Sequence, residues 1–429
     1  MTRIILFEDA AFADLLPLTY WRSVFELRCG RRTLFDRCAS RWGVAPVGVL
    51  TRSWIANVAA DRLGLPVNEP LEPGDVLINP RWLPERGTTL PKPPFLGTCE
   101  DGIACIVCDK ALAALLGPQD FLDRKRWSEL IEQIGRASLP GAMIGYPWDL
   151  VLRNGQLIAE DWRASDAGIA GDVHASAVLI NRDAIHVAPG ARVQAMALLD
   201  ASDGPVIVEK DAVIGSHAVV VGPACVGERS LVKPHAFLHG GSSIGPVCKV
   251  AGEVDACVFD GYSNKAHDGF LGHCYVGSWV NLGAGTTNSD LKNTYGTVRV
   301  PIGGKEVDSG QMFFGGVVGD HVKTGIQLAL TTGSVIGFGA NVACSRMPRT
   351  FVRSFSWVTD RGVEEGDVRR LASTAATVMA RRNVTMTKSE SDLFNKLPEI
   401  VAYFEPDVIA HRAAYESSEH RGQAKPVTQ

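Results

Sequence analysis

Polar side chains are densest between residues 264 and 290, where the chain reads NKAHDGFLGHCYVGSWVNLGAGTTNSD. His267 is the group there best suited to move a proton, because imidazole titrates near neutrality. Asn281 and the backbone N–H groups of the corner Gly283-Ala284-Gly285 can donate to an oxygen that gains negative charge. A base and a set of such donors are what acyl transfer from a thioester to an amine requires, since the amine loses a proton while the carbonyl oxygen collects charge. Lys265 adds a point charge suited to a phosphate, and Asn288 and Asp290 can bind hydroxyls. His273 stands six residues after His267 and reads as a bystander. The same polar corner would also suit an inert edge of a repetitive fold.

A second set of candidates lies near the N-terminus. The apolar run IILF (4–7) ends in Glu8-Asp9, and DVLI (75–78) ends in Asn79. In α/β sheets ligands bind beyond the carboxyl ends of such strands. The segment EDAAFADLLPLTYWRSVFELRCGRRTL follows the first of them, and its Arg22 and Arg28 either meet phosphates or pair with Glu8, Asp9 and Glu26. Cys105 and Cys108 form the one CxxC pair, inside the apolar run IACIVC, so buried structural thiols are expected rather than a zinc or redox site.

The elements that must position these residues are legible in the spacing. Val208, Ile214, Val220, Val226, Val232, Leu238, Ile244 and Val250 stand six apart, with Ala212, Ala218, Ala224, Ser230, Ala236 and Ser242 four residues after the first six of them. A period of six belongs neither to a helix nor to a half-buried strand. It predicts a hexapeptide parallel β-helix, with the aliphatic residue of each hexad pointing into a triangular prism and the small one at the corner. The phase returns at Val276 and Leu282, and again at Val318, Thr324, Leu330, Ile336 and Val342. Segment 287–316 breaks it and reads as a functional or interface-forming excursion.

Ahead of the prism, IILF, VAPVGVLT (44–51), DVLIN and ACIVCD read as strands separated by helical stretches such as SWIANVAADRLG. That alternation predicts a mainly parallel α/β sheet. After residue 360, Val368, Leu371, Ala372, Ala375 and Met379 have helical spacing, and a second amphipathic stretch runs over 392–404; both are expected to cap the open end of the prism, with packing on a neighbouring chain as the alternative. The expected organisation is an α/β domain over 1–162, a left-handed β-helix over 170–345, a helical extension over 360–415 and a disordered tail over 416–429.

Composition bounds the function. The chain has 429 residues, 46% hydrophobic and 21% charged, which suits two or three globular domains. A net charge of −4 indicates no polycationic surface for nucleic acid. No apolar run of about 18 residues suggests a membrane span, the first residues lack a signal-peptide pattern, and the ten scattered cysteines suit the cytoplasm.

The stretch 264–290 resembles the acetyltransferase half of the bifunctional bacterial N-acetylglucosamine-1-phosphate uridyltransferase/glucosamine-1-phosphate acetyltransferase family. His267 falls on that family's catalytic histidine and Asn281 on the asparagine of its NIGAG coil. The match is closer still to a variant family of sugar nucleotidyltransferases, in which HDGFLG and WVNLGAGTTNSDLKN recur almost letter for letter. That family's PLT(F/Y)xRP pattern stands here as Pro17-Leu18-Thr19-Tyr20-Trp21-Arg22, followed by Ser23 in place of proline, and Arg22, Arg28 and Gly30 fall on its pattern. The resemblance covers roughly residues 1–345. It implies an α/β nucleotidyltransferase-like domain followed by a left-handed parallel β-helix and C-terminal helices. It implies nucleotidyl transfer from a nucleoside triphosphate to a sugar 1-phosphate with Mg²⁺, acetyl transfer from acetyl-CoA to an amino sugar phosphate, as in UDP-N-acetylglucosamine synthesis, and a homotrimer.

The departures are specific. Phe270 replaces a tyrosine, the glycine-rich LAAGxGTRxxxxxPK loop is missing, and Asn79 and Arg81 stand where the first metal-binding aspartate would be. Asp149 resembles the second metal position. Two alternatives stay open: one working head with a non-catalytic partner domain, or a non-catalytic oligomeric sugar-phosphate-binding protein. A prism-borne zinc site of the γ-carbonic-anhydrase type needs two histidines five apart, whereas His235 and His239 are four apart.

Overall fold

The computed structural model describes residues 3–406 apart from 91, 94 and 135. The expected tail over 416–429, and the last part of the 360–415 extension, lie outside the described residues.

The front sheet has six strands in the order Gly48–Leu50, Ile4–Phe7, Val76–Ile78, Gly102–Val107, Phe95–Cys99, Ala137–Ser138. Strand Ile4–Phe7 pairs in parallel with both neighbours, but Val76–Ile78 runs antiparallel to Gly102–Val107. The sheet is thus mainly parallel, as expected, with Gly102–Val107 the one strand of the six that runs against the others. The cause is local: Glu100, at φ 51°, and Asp101 close a tight hairpin between Phe95–Cys99 and Gly102–Val107, where a helical crossover was expected. Alternate residues of Ile4–Phe7 feed cores on opposite faces, Ile4 and Leu6 on one and Ile5 and Phe7 on the other. Helix Ala56–Leu63 ends at Gly64 with φ 63°, the left-handed C-cap its sequence suggested.

The prism follows. Its first wall holds ten parallel strands, from Gly168–Ile169 to Phe351–Val352. The second wall runs from Asp172–Val173 to Asn264–Lys265 and continues through single bridges at Asn281 into Lys323–Thr324, Asn341–Ala343 and Ser356–Thr359. The third runs from Val178–Ile180 to Phe270–Gly272. Every member of the aliphatic ladder and of its small-residue companion is buried inside. The coils continue past residue 345, because Phe351–Val352 and Ser356–Thr359 still pair in register.

The excursion leaves the prism as the hairpin Arg299–Ile302/Lys305–Asp308. Its Val298, Val300 and Ile302 join the outward side chains Val258, Tyr275 and Val317 of the first wall and Leu15, Leu18 and Trp148 of the front domain in one apolar core. The front domain therefore docks on the outside of the first wall. Helices Val368–Ala380 and Lys388–Phe404 were expected at the open end; instead Phe394, Leu397 and Val401 wedge between Tyr20, Trp21 and Ile55 of the front domain and Phe338 and Phe355 of the last coils. The front domain and the last coils thus both offer the helices apolar surface to bury.

Candidate active sites

The prism cluster spreads over two edges and the interior. His267 is exposed between the second-wall strand Asn264–Lys265 and the third-wall strand Phe270–Gly272, and its ring has no hydrogen-bond partner among the described residues. Asn281 lies one coil on along the second wall, exposed, its Oδ1 within 3.5 Å of Asn264 Nδ2. Asn264 Oδ1 in turn accepts from Arg382 at 2.8 Å, which ties this wall to the C-terminal helices. Of the glycine-rich corner, Gly283 N–H is taken by Thr324 Oγ1 and Gly285 N–H by the Asp268 carbonyl, which leaves Ala284 as the donor open to an oxyanion.

Lys265 and Asn288 do not face a substrate. Lys265 is paired in register with Val250, points into the prism, and donates to the carbonyls of Ala251 (3.0 Å) and His267 (3.1 Å). Burial pushes its ammonium down to about 8. Asn288 is buried and brackets Gly272, accepting from its N–H at 2.8 Å and donating to its carbonyl at 3.0 Å.

At the far end of strand Phe270–Gly272, His273 meets Asp290, Nδ1 to Oδ2 2.8 Å, with Asp255 beside them. A carboxylate on one ring nitrogen fixes the imidazole's orientation and leaves the other nitrogen for chemistry. Gly272 makes room: a Cβ there would stand 2.3 Å from Asp290 Oδ2. Sequence reasoning took His273 for a bystander and Asp290 for a hydroxyl ligand. The available signal was that Asp255, His273 and Asp290 recur about one coil apart. The two histidines flank strand Phe270–Gly272, one before it and one after it.

The front-domain candidates divide differently. Arg22 is buried between Asp260 and Asp320 of the first wall, so its charge is already answered at the domain joint. Arg28 N–H donates to Tyr275 Oη at 2.9 Å and its guanidinium to the Arg31 carbonyl. Gly30, at φ 75°, receives Ser243 Oγ on its carbonyl and gives its N–H to Asn154, and a Cβ there would meet Arg37 at 2.5 Å. The segment Arg22–Gly30 thus builds the joint rather than an open phosphate loop.

Asn79 donates to Asp9 at 2.9 Å, and Arg81 holds both oxygens of the same carboxylate. Asp149 caps its own helix, accepting from Gly145 and Tyr146 N–H. These two positions are not brought together by any shared contact. Cys105 and Cys108 are free and buried, and burial pushes both thiols up to about 12, which suits packing and not metal binding.

One open cavity of about 360 Å³ lies in the front domain beside Ile78, at the carboxyl end of its strand. Arg41, Arg86 and Arg163 line it together with Trp42, Trp82 and Trp162. A fourth arginine, Arg37, is neutralised there by Asp161 at 2.8 Å. Cations beside indole faces suit a phosphorylated ligand with a flat or ring-shaped body. None of these six residues was singled out in the sequence, because they come from three separate segments.

Residues 4–168 match the family described as sugar nucleotidyl transferase. A bifunctional sugar-1-phosphate nucleotidylyltransferase/acetyltransferase of Sulfurisphaera tokodaii is 31% identical over 145 residues, 32% of this chain and 35% of that protein. The bifunctional protein GlmU of Methanococcus vannielii is 30% identical over 122 residues, 28% of each chain. The matches thus span about a third, or less, of the length of these curated relatives. Among solved structures, a UDP-N-acetylglucosamine acyltransferase from Campylobacter jejuni aligns over 52% of this chain and 95% of its own, at 11% identity and a TM-score of 0.24. No helix among the described residues is long and apolar enough to cross a membrane.

Proposed function

We propose, starting from a front domain that matches the sugar nucleotidyl transferase family, that this chain is a transferase of nucleotide-sugar synthesis. The observation that carries the reading is the arginine- and tryptophan-lined cavity inside the matched region. There a sugar 1-phosphate oxygen attacks the α-phosphorus of a nucleoside triphosphate, the bond to the bridging oxygen breaks, and pyrophosphate leaves. Arg41, Arg86 and Arg163 meet the phosphates, and the tryptophans hold the base or sugar, so catalysis is mostly positioning and charge neutralisation.

Mg²⁺ is the usual partner of this reaction, but the expected ligands do not fit it. Asp149 has one oxygen, Oδ2, engaged by two backbone N–H groups and shares no contact with the Asn79 position, and Asp9 beside Asn79 is already neutralised by Arg81. No step is therefore routed through a metal here. The test is pyrophosphate release across a panel of nucleoside triphosphates and sugar 1-phosphates, with and without Mg²⁺. Release with some pair is expected, and Arg86→Ala should weaken it; silence across the panel sinks this half.

On the prism, acetyl transfer uses the exposed edge at His267. The amine of an amino sugar phosphate attacks the carbonyl carbon of acetyl-CoA, its proton passes to the imidazole, the C–S bond breaks, and the coenzyme leaves as the thiolate that takes up a proton. Asn281 and Ala284 N–H are the donors for the carbonyl oxygen. A homotrimer in the cytoplasm completes the reading: packing walls around a threefold axis would cover this edge with a second copy. Free-thiol production from acetyl-CoA with amino-sugar phosphates tests it, and light scattering tests the assembly. His267→Ala should lower thiol production by about 10²–10⁴-fold. Loss on His273→Ala and Asp290→Asn instead would move the base to the other edge.

A second reading rests on the closed strand ends: with Glu8, Asp9 and Asp149 all engaged inside the chain, the front domain binds a sugar phosphate without turnover and only the prism is catalytic. Saturable sugar-phosphate binding without pyrophosphate release is its signature.

A further inference from the structure

A second cavity, about 520 Å³, opens between the last coils and the C-terminal helices, away from the front-domain cavity. His321 and Lys323 line its inner part, Leu371 and Phe394 its apolar side, and the exposed Trp357 and Arg370 its outer part together with three exposed carboxylates, Glu364, Glu365 and Asp367. None of these residues entered the acyl-transfer or nucleotidyl-transfer chemistry.

His321 is only 5% exposed. Its ring is boxed by Trp21 at 5.1 Å, Phe338 at 5.6 Å and Phe394 at 5.8 Å between centroids, and neither ring nitrogen has a hydrogen-bond partner among the described residues. Buried polar atoms are nearly always satisfied, so an orphaned imidazole lining a cavity marks a place where a partner is missing. Lys323 is half-buried beside it. Its ammonium donates to the carbonyls of Trp279 (2.8 Å) and His321 (3.0 Å), and no described carboxylate forms an ion pair with it.

The two groups share one deficit. Lys323, Arg62 and Arg22 put a positive field on His321, which burial already keeps neutral, and burial alone holds Lys323 down to about 8. Arg22 has its aspartates and Arg62 has Glu26 and Glu390. Of these three cations, Lys323 alone has no paired carboxylate among the described residues, and a largely desolvated cation without one is unfavourable.

The geometry points to an anion site: the cavity takes a small phosphate- or carboxylate-bearing organic molecule, with the anionic head on Lys323 Nζ and the His321 ring and the body against Trp357 and Leu371. One imidazole nitrogen donates to the anion while the other accepts from a ligand hydroxyl. The volume suits a sugar-sized body, within the range of small-ligand pockets. The site shares no residue with the front cavity or with the His267 edge, although Lys323 pairs with Asn281 along the second wall.

Titration calorimetry on the full chain, with Arg86→Ala present to weaken the front cavity, separates the sources. The probes are inorganic phosphate, glucose 1-phosphate and citrate. Saturable 1:1 binding is expected, with one of the organic anions tighter than inorganic phosphate. Lys323→Met should weaken it at least tenfold, and Trp357→Ala should weaken the organic anion about fivefold while leaving inorganic phosphate unchanged. In wild type the ligand should also raise the titration midpoint of His321 followed by NMR. Failure of all three probes to saturate the site, or affinities unchanged in both Lys323→Met and His321→Gln, overturns the proposal. If Lys323→Met does not fold, the Trp357→Ala pattern and the His321 shift decide. Loss of pyrophosphate release bears only on the front-domain reading and leaves this outcome untouched.

Discussion

At the carboxyl ends of the front strands every acidic group is answered from within the chain, whereas at the prism edges polar groups are left open. Glu8 accepts from Val24 N–H and Thr51 Oγ1 and faces Arg52, and Asp9 is held by Asn79 and Arg81. On the prism, His267 is exposed without a partner, His273 is oriented on one nitrogen only, and His321 has none. A buried, satisfied ion pair is costly to break but chemically silent. An imidazole with a free nitrogen is the reverse. The contrast separates joints from sites: the strand ends hold the front domain together, and its ligand chemistry moves aside to the arginine cavity.

Breaking the closed end should have the largest effect. Arg81→Met leaves Asp9 buried without its cation and should cost about 3–5 kcal/mol in chemical denaturation; a loss under about 1 kcal/mol would mean that the strand ends are not sealed by this pair. On the prism, Gly272→Ala drives a methyl onto Asp290 and the Phe270 ring, and a loss of about 1–3 kcal/mol by calorimetry is expected as the Asp290–His273 contact gives way.

Smaller still is the effect at the helical roof of the second cavity. Thr387 caps helix Lys388–Phe404 by accepting from Glu390 N–H at 3.1 Å, and Thr387→Ala should cost about 1 kcal/mol in the same assay. Lys265→Met should change stability least near pH 7, by about 1 kcal/mol or less, because a buried cation is exchanged for a methylene stem of similar length. Its mark is in the pH dependence. The folded chain releases the Lys265 proton near 8 while the unfolded chain keeps it to its ordinary value of 10.5, so wild-type stability rises with pH across that window. Lys265→Met should flatten part of the rise, and Lys323→Met, lowered to about 8 in the same way, should flatten another part.

Much of the prism was legible because its core repeats. From Val226 to Ile244 the step along the first wall is 18 residues, so three equal hexads close one coil. The step then falls to 15 at Phe259 and becomes 17 at Val276. Phase counting lost its footing where the polar residues begin, and Lys265, which succeeds Val250 in the inward ladder, was read as a charge for a phosphate. His267 lies on a prism edge and Asn281 on the second wall beside it, and their roles rest on activity. Arg22 was legible as a cation near Glu8 and Asp9, but its partners, Asp260 and Asp320, are more than 200 residues away and carry no local signal.

By itself the sequence determined the periodic parts: a six-residue ladder can bury its aliphatic side chains only by winding into a prism, and an apolar run followed by acidic residues marks a strand end. Tertiary structure alone decided which charges are spent and which are free. Pairing depends on where distant segments meet: the docking of the front domain on the first wall consumed Arg22, contacts between the front strands' own ends consumed Asp9, and among the described residues the His321 ring is left without a hydrogen-bond partner and Lys323 without a paired carboxylate.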